Sequence, residues 1–129
     1  MRTFEDVVRG EREVVRIDED EHHIAFLNPA HLRPGHAIVV TKRLVPYVFD
    51  LDAVEHARLW EFARRVALRI RAELPCERVC VGVIGWQVKH VHVHLVPTDA
   101  DGQFPPLPGS PVSVEELRAV AARLRARQP

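Results

Sequence analysis

Residues 88–96, VKHVHVHLV, alternate two kinds of side chain with strict period two. On a β-strand successive side chains point to opposite faces. Val88, His90, His92, His94 and Val96 therefore share one face, and Lys89, Val91, Val93 and Leu95 the other. The apolar set suits packing under a helix, which leaves the three imidazoles on the opposite, accessible face. Histidine is not a strong strand former and is costly to desolvate, so a row of three is an unusual use of a sheet surface.

The rest of the chain supplies partners for such a strand. FEDVVRGE (4–11) predicts a short helix ended by Gly10. EVVRI (13–17) and HHIAFLN (22–28) read as strands of a hairpin around the acidic turn Asp18 to Glu21, followed by the proline-containing loop NPAHLRPG (28–35) and the β-branched strand HAIVVTK (36–42). Asp52 with Glu55 opens a long helix as a capping box, and Pro75 stops it. Trp60, Ala63, Ala67, Ile70 and Leu74 recur at helical spacing as its apolar stripe, with Arg69 among the arginines off it. RVCVGVI (78–84) joins the histidine strand through GWQ, and Ser113 with Glu116 caps a last helix after the proline-rich stretch 97–111. Strands, a long helix, strands and a helix predict an α+β fold: an antiparallel sheet of about five strands with helices on one face.

At 129 residues, 47% apolar and 28% charged, one domain over 1–129 is expected, with its core in 4–97 and a C-terminal proline-rich segment and helix in 98–129. Acidic and basic residues balance at 18 each, so no overall field points to a nucleic acid polymer or a membrane. The apolar runs are shorter than the ~20 residues of a membrane span, and MRTFEDVVRGE lacks a secretory profile, which makes the cytoplasm the expected location. Cys76 and Cys80, spaced C-x3-C, read as structural thiols.

Three readings of the histidine row compete. A metal would have to take two of the three, because His90 and His94 stand about 13 Å apart along a strand whereas metal–nitrogen bonds are about 2 Å. The other ligands would come from His22, His23, His31, His36 or Asp99, which show no second cluster. A merely decorated strand explains one histidine better than three. Imidazole chemistry uses all of them: a neutral ring attacks phosphorus or a carbonyl carbon, and a neighbouring imidazolium protonates the leaving group. Histidines near their ordinary pKa can hold different protonation states side by side, with a second-shell acceptor fixing the nucleophile's tautomer.

HVHVHLV fills every position of the His-φ-His-φ-His-φ-φ motif (φ, hydrophobic), and so the chain resembles the histidine triad (HIT) superfamily. The likeness extends upstream through DEDEHHIAFLNPAHLRPGHAIVVTKR (18–43) and FEDVVRGE, covering roughly residues 4–97. It implies a purine nucleotide-binding hydrolase or nucleotidyl transferase acting at the α-phosphorus. His92 would be the nucleophile, forming a covalent nucleotidyl-histidine. His94 would contact the phosphate and assist the leaving group, His90 would support the site, and His36 of PGH would back it. Asn28 would bind the ribose, unless it only caps the loop before Pro29. Implied substrates are phosphoramidates, adenylylated amines or dinucleoside polyphosphates. No cofactor or metal is implied, and the assembly would be a homodimer with the sheets joined. A non-catalytic nucleotide-binding or scaffold protein of the same fold is the alternative. Many members carry Gly-Gln and then Ser or Thr before the triad; GWQVKH puts Trp86 at the Gln position and Gln87 at the small hydroxyl. This resembles a bacterial branch with a short loop before the triad. Gln87 is expected as a phosphate contact, and Trp86 as a packing residue or a pocket wall.

Overall fold

A computed structural model describes residues 3–30, 33–104 and 111–126. The elements are helix α1 (Glu5–Val8), strands β1 (Arg16–Glu19), β2 (His23–Leu27) and β3 (Ala37–Thr41), helix α2 (Ala53–Glu73), strands β4 (Arg78–Gly82) and β5 (His92–Thr98), and helix α3 (Val114–Ala126). The strands form one antiparallel sheet in the order β1-β2-β3-β5-β4. Thus β5, carrying two triad histidines, is an inner strand between β3 and β4. This is the α+β architecture that the sequence predicts.

One face of the sheet holds the main core. Ala25, Leu27, Val39, Val93 and Leu95 meet Leu59, Phe62, Val66 and Ile70 of α2 and Leu117, Ala121 and Leu124 of α3. Helix α2 begins as expected: Asp52 Oδ1 accepts from the Glu55 N–H at 2.8 Å, and the Glu55 carboxylate accepts from the Asp52 N–H at 3.1 Å. The second face carries a smaller cluster of Phe4, Val7, Ile24, Phe26, Ile38 and Val40 beneath α1. At the PGH turn Gly35 has φ +91°, and a Cβ there would lie 2.3 Å from Leu74 Cδ1, so the chain end of α2 can pass only over glycine.

Several expectations shift. The buried arc of α2 centres on Leu59, Phe62, Val66 and Ile70, while Trp60 and Ala67 are only half-buried. One residue is a 100° turn of a helix, and Trp60 is drawn to the rim by its Nε1–H, which donates to His56 Nε2 at 3.1 Å. Arg69, expected off the stripe, is buried because its guanidinium donates to the Asp18 carboxylate on β1. The hairpin turn is correspondingly later: Asp18 and Glu19 belong to β1. The histidine strand begins at His92 rather than Val88, since the Val91 N–H donates to Val45 O (2.8 Å) in the loop after β3. Of the proline-rich segment 104–111, residues 105–110 lie outside the described residues, as does His31.

Candidate active site

The largest correction concerns the histidine face. It is not accessible: His90 is 1% exposed, His92 6% and His36 2%, with His94 half-buried. The reason is α1. Phe4 lays its ring edge-on against His92 (centroids 5.1 Å) and His90 (6.0 Å), and closes the face together with Phe26.

This cover fixes protons. The Phe4 N–H donates to His90 Nδ1 at 3.1 Å, so that nitrogen carries a lone pair and the proton sits on Nε2, which donates to Thr41 O at 2.6 Å. His90 is thereby held neutral with both ring nitrogens occupied. The next histidine takes the other tautomer. His92 Nδ1 lies 2.7 Å from His90 O, a carbonyl that can only accept, so Nδ1 donates and Nε2 keeps its lone pair. His94 Nδ1 faces His36 Nε2 at 3.0 Å, one of the two donating. His36 is positioned by PGH, and the Asn28 N–H donates to its carbonyl at 2.9 Å.

Burial lowers the pKa of all three triad residues. For His90 desolvation outweighs the opposing pull of the Thr41 carbonyl and the Glu5 carboxylate. For His92 it outweighs the bond to His90 O, with His90 adding a small depression. His94 is pushed to about 4, by burial first and by His92 second. The row is therefore uniformly neutral at pH 7, rather than a mixture of protonation states. A proton on His94 needs an incoming anion to stabilise it.

The other expected residues divide. Asn28 does form the loop cap: its Oδ1 accepts from the Ala30 N–H at 3.0 Å, beside His36. Trp86 is 80% exposed and walls a cavity next to His90 and His92, with Lys89 Nζ 4.8 Å above its ring. Gln87 is exposed and lies outside that lining. Of the metal candidates, His23 lies on the opposite face, its ring 4.9 Å from Phe62 and its Nδ1 bonded to Asp20, while Asp99 accepts from Arg33 and from the Glu77 N–H. Among the described residues no three His, Cys, Asp or Glu side chains cluster as a metal site. Cys76 and Cys80 are free thiols, Cys80 Sγ lying 3.2 Å from Thr98 Oγ1. Phe4 and the Thr41 carbonyl were not legible as site components. The phenylalanine opening FEDVV was visible, but its partner lies 86 residues away.

Strand β5 and the segment leading into it thus set three imidazoles in a row, two of them in opposite tautomers. The chain belongs to the HIT family: the model of the HIT domain matches residues 9–101. It is 32% identical over 82 residues to a bis(5'-adenosyl)-triphosphatase of Dictyostelium discoideum, 60% of this chain but only 55% of that relative's length. To the adenosine 5'-monophosphoramidase hnt1 of Schizosaccharomyces pombe it is 28% identical over 124 residues, 94% of this chain and 93% of the relative. Both relatives are nucleotide hydrolases by name. Among solved structures, a Hit-like protein from Bartonella henselae involved in cell-cycle regulation superposes with a TM-score of 0.85 at 23% identity, covering 95% of this chain and 92% of the other, which shows the shared fold.

Proposed function

We propose that the chain is a metal-independent hydrolase or nucleotidyl transferase for purine nucleotides, acting at the α-phosphorus through His92. One observation carries the reading: the His92 Nδ1–H bond to His90 O leaves Nε2 as a lone pair on a ring that burial keeps neutral. Nε2 attacks phosphorus, a P–N bond forms, the bond to the leaving group breaks, and the positive ring is stabilised by the His90 carbonyl. Water then attacks the same phosphorus and releases His92. His94 would take up a proton once the anionic phosphate arrives, backed by His36, and pass it to the leaving group. His90 positions the nucleophile. Asn28, whose side-chain NH2 is not used by the bond to Ala30, is proposed to reach the ribose.

The relatives named for nucleotide hydrolysis support this reading. A homodimer is part of the proposal, because among the described residues β4 is an edge strand, with exposed Val81, whose outer ladder a second sheet could take up. A weakly catalytic nucleotide-binding protein is the second reading. It is favoured by one observation: Gln87 stands exposed where many relatives place a small hydroxyl. Intact-mass detection of a nucleotidyl adduct with a purine nucleoside 5'-phosphoramidate, alongside phosphorus NMR of turnover, separates the two. Absence of both adduct and turnover across several such substrates would remove the hydrolase reading. Stoichiometric zinc in protein prepared without added metal, with chelator-sensitive turnover, would overturn metal independence.

A further inference from the structure

Strand β4 leaves the sheet just after Gly82, whose partner is His94, so β5 from His92 backwards has no β4 neighbour. Val91 turns its N–H and C=O towards Val45 and Thr41, on the β3 side. By alternation the backbones of His90 and His92 face the other way, into the gap that β4 vacates. A cavity of about 360 Å³ occupies that gap. It lies between the loop after β3, which contributes Tyr47 and Phe49, and the GWQ loop, which contributes Ile84 and Trp86.

These four side chains are 55%, 72%, 51% and 80% exposed, an unusual concentration of uncovered apolar surface around one cavity. The rings are held in place: Tyr47 meets Phe49 edge-on at 5.4 Å, and Lys89 takes one face of Trp86. Among the described residues no carboxylate lines the cavity, and Lys89 is the one lysine or arginine in its lining. Asn28, the proposed ribose contact, lies elsewhere, beside His36 at the His94 end of the row and on the far side of β3. A nucleoside held at Asn28 would therefore flank the imidazoles from the side opposite this cavity.

We propose that the cavity receives the group leaving the phosphorus, and that Tyr47, Phe49 and Trp86 make it selective for leaving groups bearing a flat aromatic ring without positive charge. This rests on reading His92 as the nucleophile. It adds a substrate preference: flat rings stack on the aromatic walls, while a cationic aliphatic amine meets Lys89 and finds no acid.

The test uses three adenosine 5'-phosphoramidates that differ only at nitrogen: unsubstituted, 2-phenylethyl and 2-ammonioethyl. Binding is measured by calorimetry on the His92→Asn chain, where turnover does not interfere, and kcat/KM on the wild-type histidine. Expected is about tenfold tighter binding of the phenylethyl compound than of the other two, with the same order in kcat/KM expressed mainly through KM. Combining Trp86→Ala with Tyr47→Ala should collapse the preference to within twofold. Equal affinity for the three compounds, or a preference that survives both substitutions, overturns the proposal. So does a change of oligomeric mass in the double variant without any change in preference, which would assign the patch to a second copy of the chain. If preference appears in binding but no compound is turned over, the pocket stands and the hydrolase reading fails.

Discussion

The two sides of the segment from His90 to Leu95 are covered by different means and to different ends. Val93 and Leu95 lie at 0% and 1% exposure under α2 and α3, where they are shielded by other hydrocarbon. His90 and His92 lie at 1% and 6% on the other side, shielded by a four-residue helix and one phenylalanine. Apolar burial stabilises the fold wherever it occurs. Burial of imidazole stabilises nothing by itself, and is tolerable only because each ring finds a backbone partner. What it gives instead is a pair of rings with assigned protons. Burial measures how much water has gone; the partner decides whether a buried group holds the fold or performs chemistry.

Replacing His92 by Asn should separate the faces most sharply. Turnover should fall by a factor of at least 10⁴, roughly 5 kcal/mol in barrier, while the melting temperature stays within a few degrees. Residual activity within tenfold of wild type would dismiss His92 as nucleophile. Leu95→Ala should do the reverse, lowering unfolding free energy by about 2–5 kcal/mol in denaturant titration, with kcat changed far less than in the histidine variant. Phe4→Ala bridges the two. It should cost about 3 kcal/mol and also raise the His92 pKa towards the ordinary 6.5, moving the acid limb of kcat/KM to higher pH. A limb that stays in place would deny Phe4 its role as cover.

The neutral row also sets a pH dependence of stability. Each triad histidine has a lower pKa folded than the 6.5 of an unfolded chain, so between the two values the unfolded state binds more protons. Stability should be fully present above about pH 6.5 and decline as pH falls towards 4, the folded value of His94, at up to about 1.4 kcal/mol per pH unit for each such residue. His94→Asn should flatten that decline. The smallest effect belongs to a site remote from both faces: Asp52→Ala should cost about 1 kcal/mol through the lost cap, and leave the pH profile unaltered.

Local rules carried the sequence reading a long way. Alternation placed the histidines on one face, and capping pairs located the starts of α2 and α3: Asp52 is bonded to the Glu55 N–H, and the Glu116 N–H to Ser113 Oγ at 3.2 Å. Reading failed where a partner was distant in sequence. Nothing in the spacing of α2 tells Arg69 that Asp18 awaits it, and nothing in HVHVHLV indicates that Phe4 will cover it. The start of β5 slipped because Val91 bonds to a loop carbonyl at Val45, a choice made by the path of the chain after β3. Lys89 was assigned to the core-facing set by alternation, but that alternation ends at the irregular start of the strand, and the side chain lies over Trp86 instead.

The bond from the Phe4 amide to His90 joins positions 86 residues apart. Closing a loop of that length costs more chain entropy than forming a local hairpin or helix. A chain on its way to the native state can therefore hold most of its sheet and still lack an assigned proton on His90. If His92 is the nucleophile, its reactivity during refolding would report when that bond has closed, which a probe of strand content alone would miss.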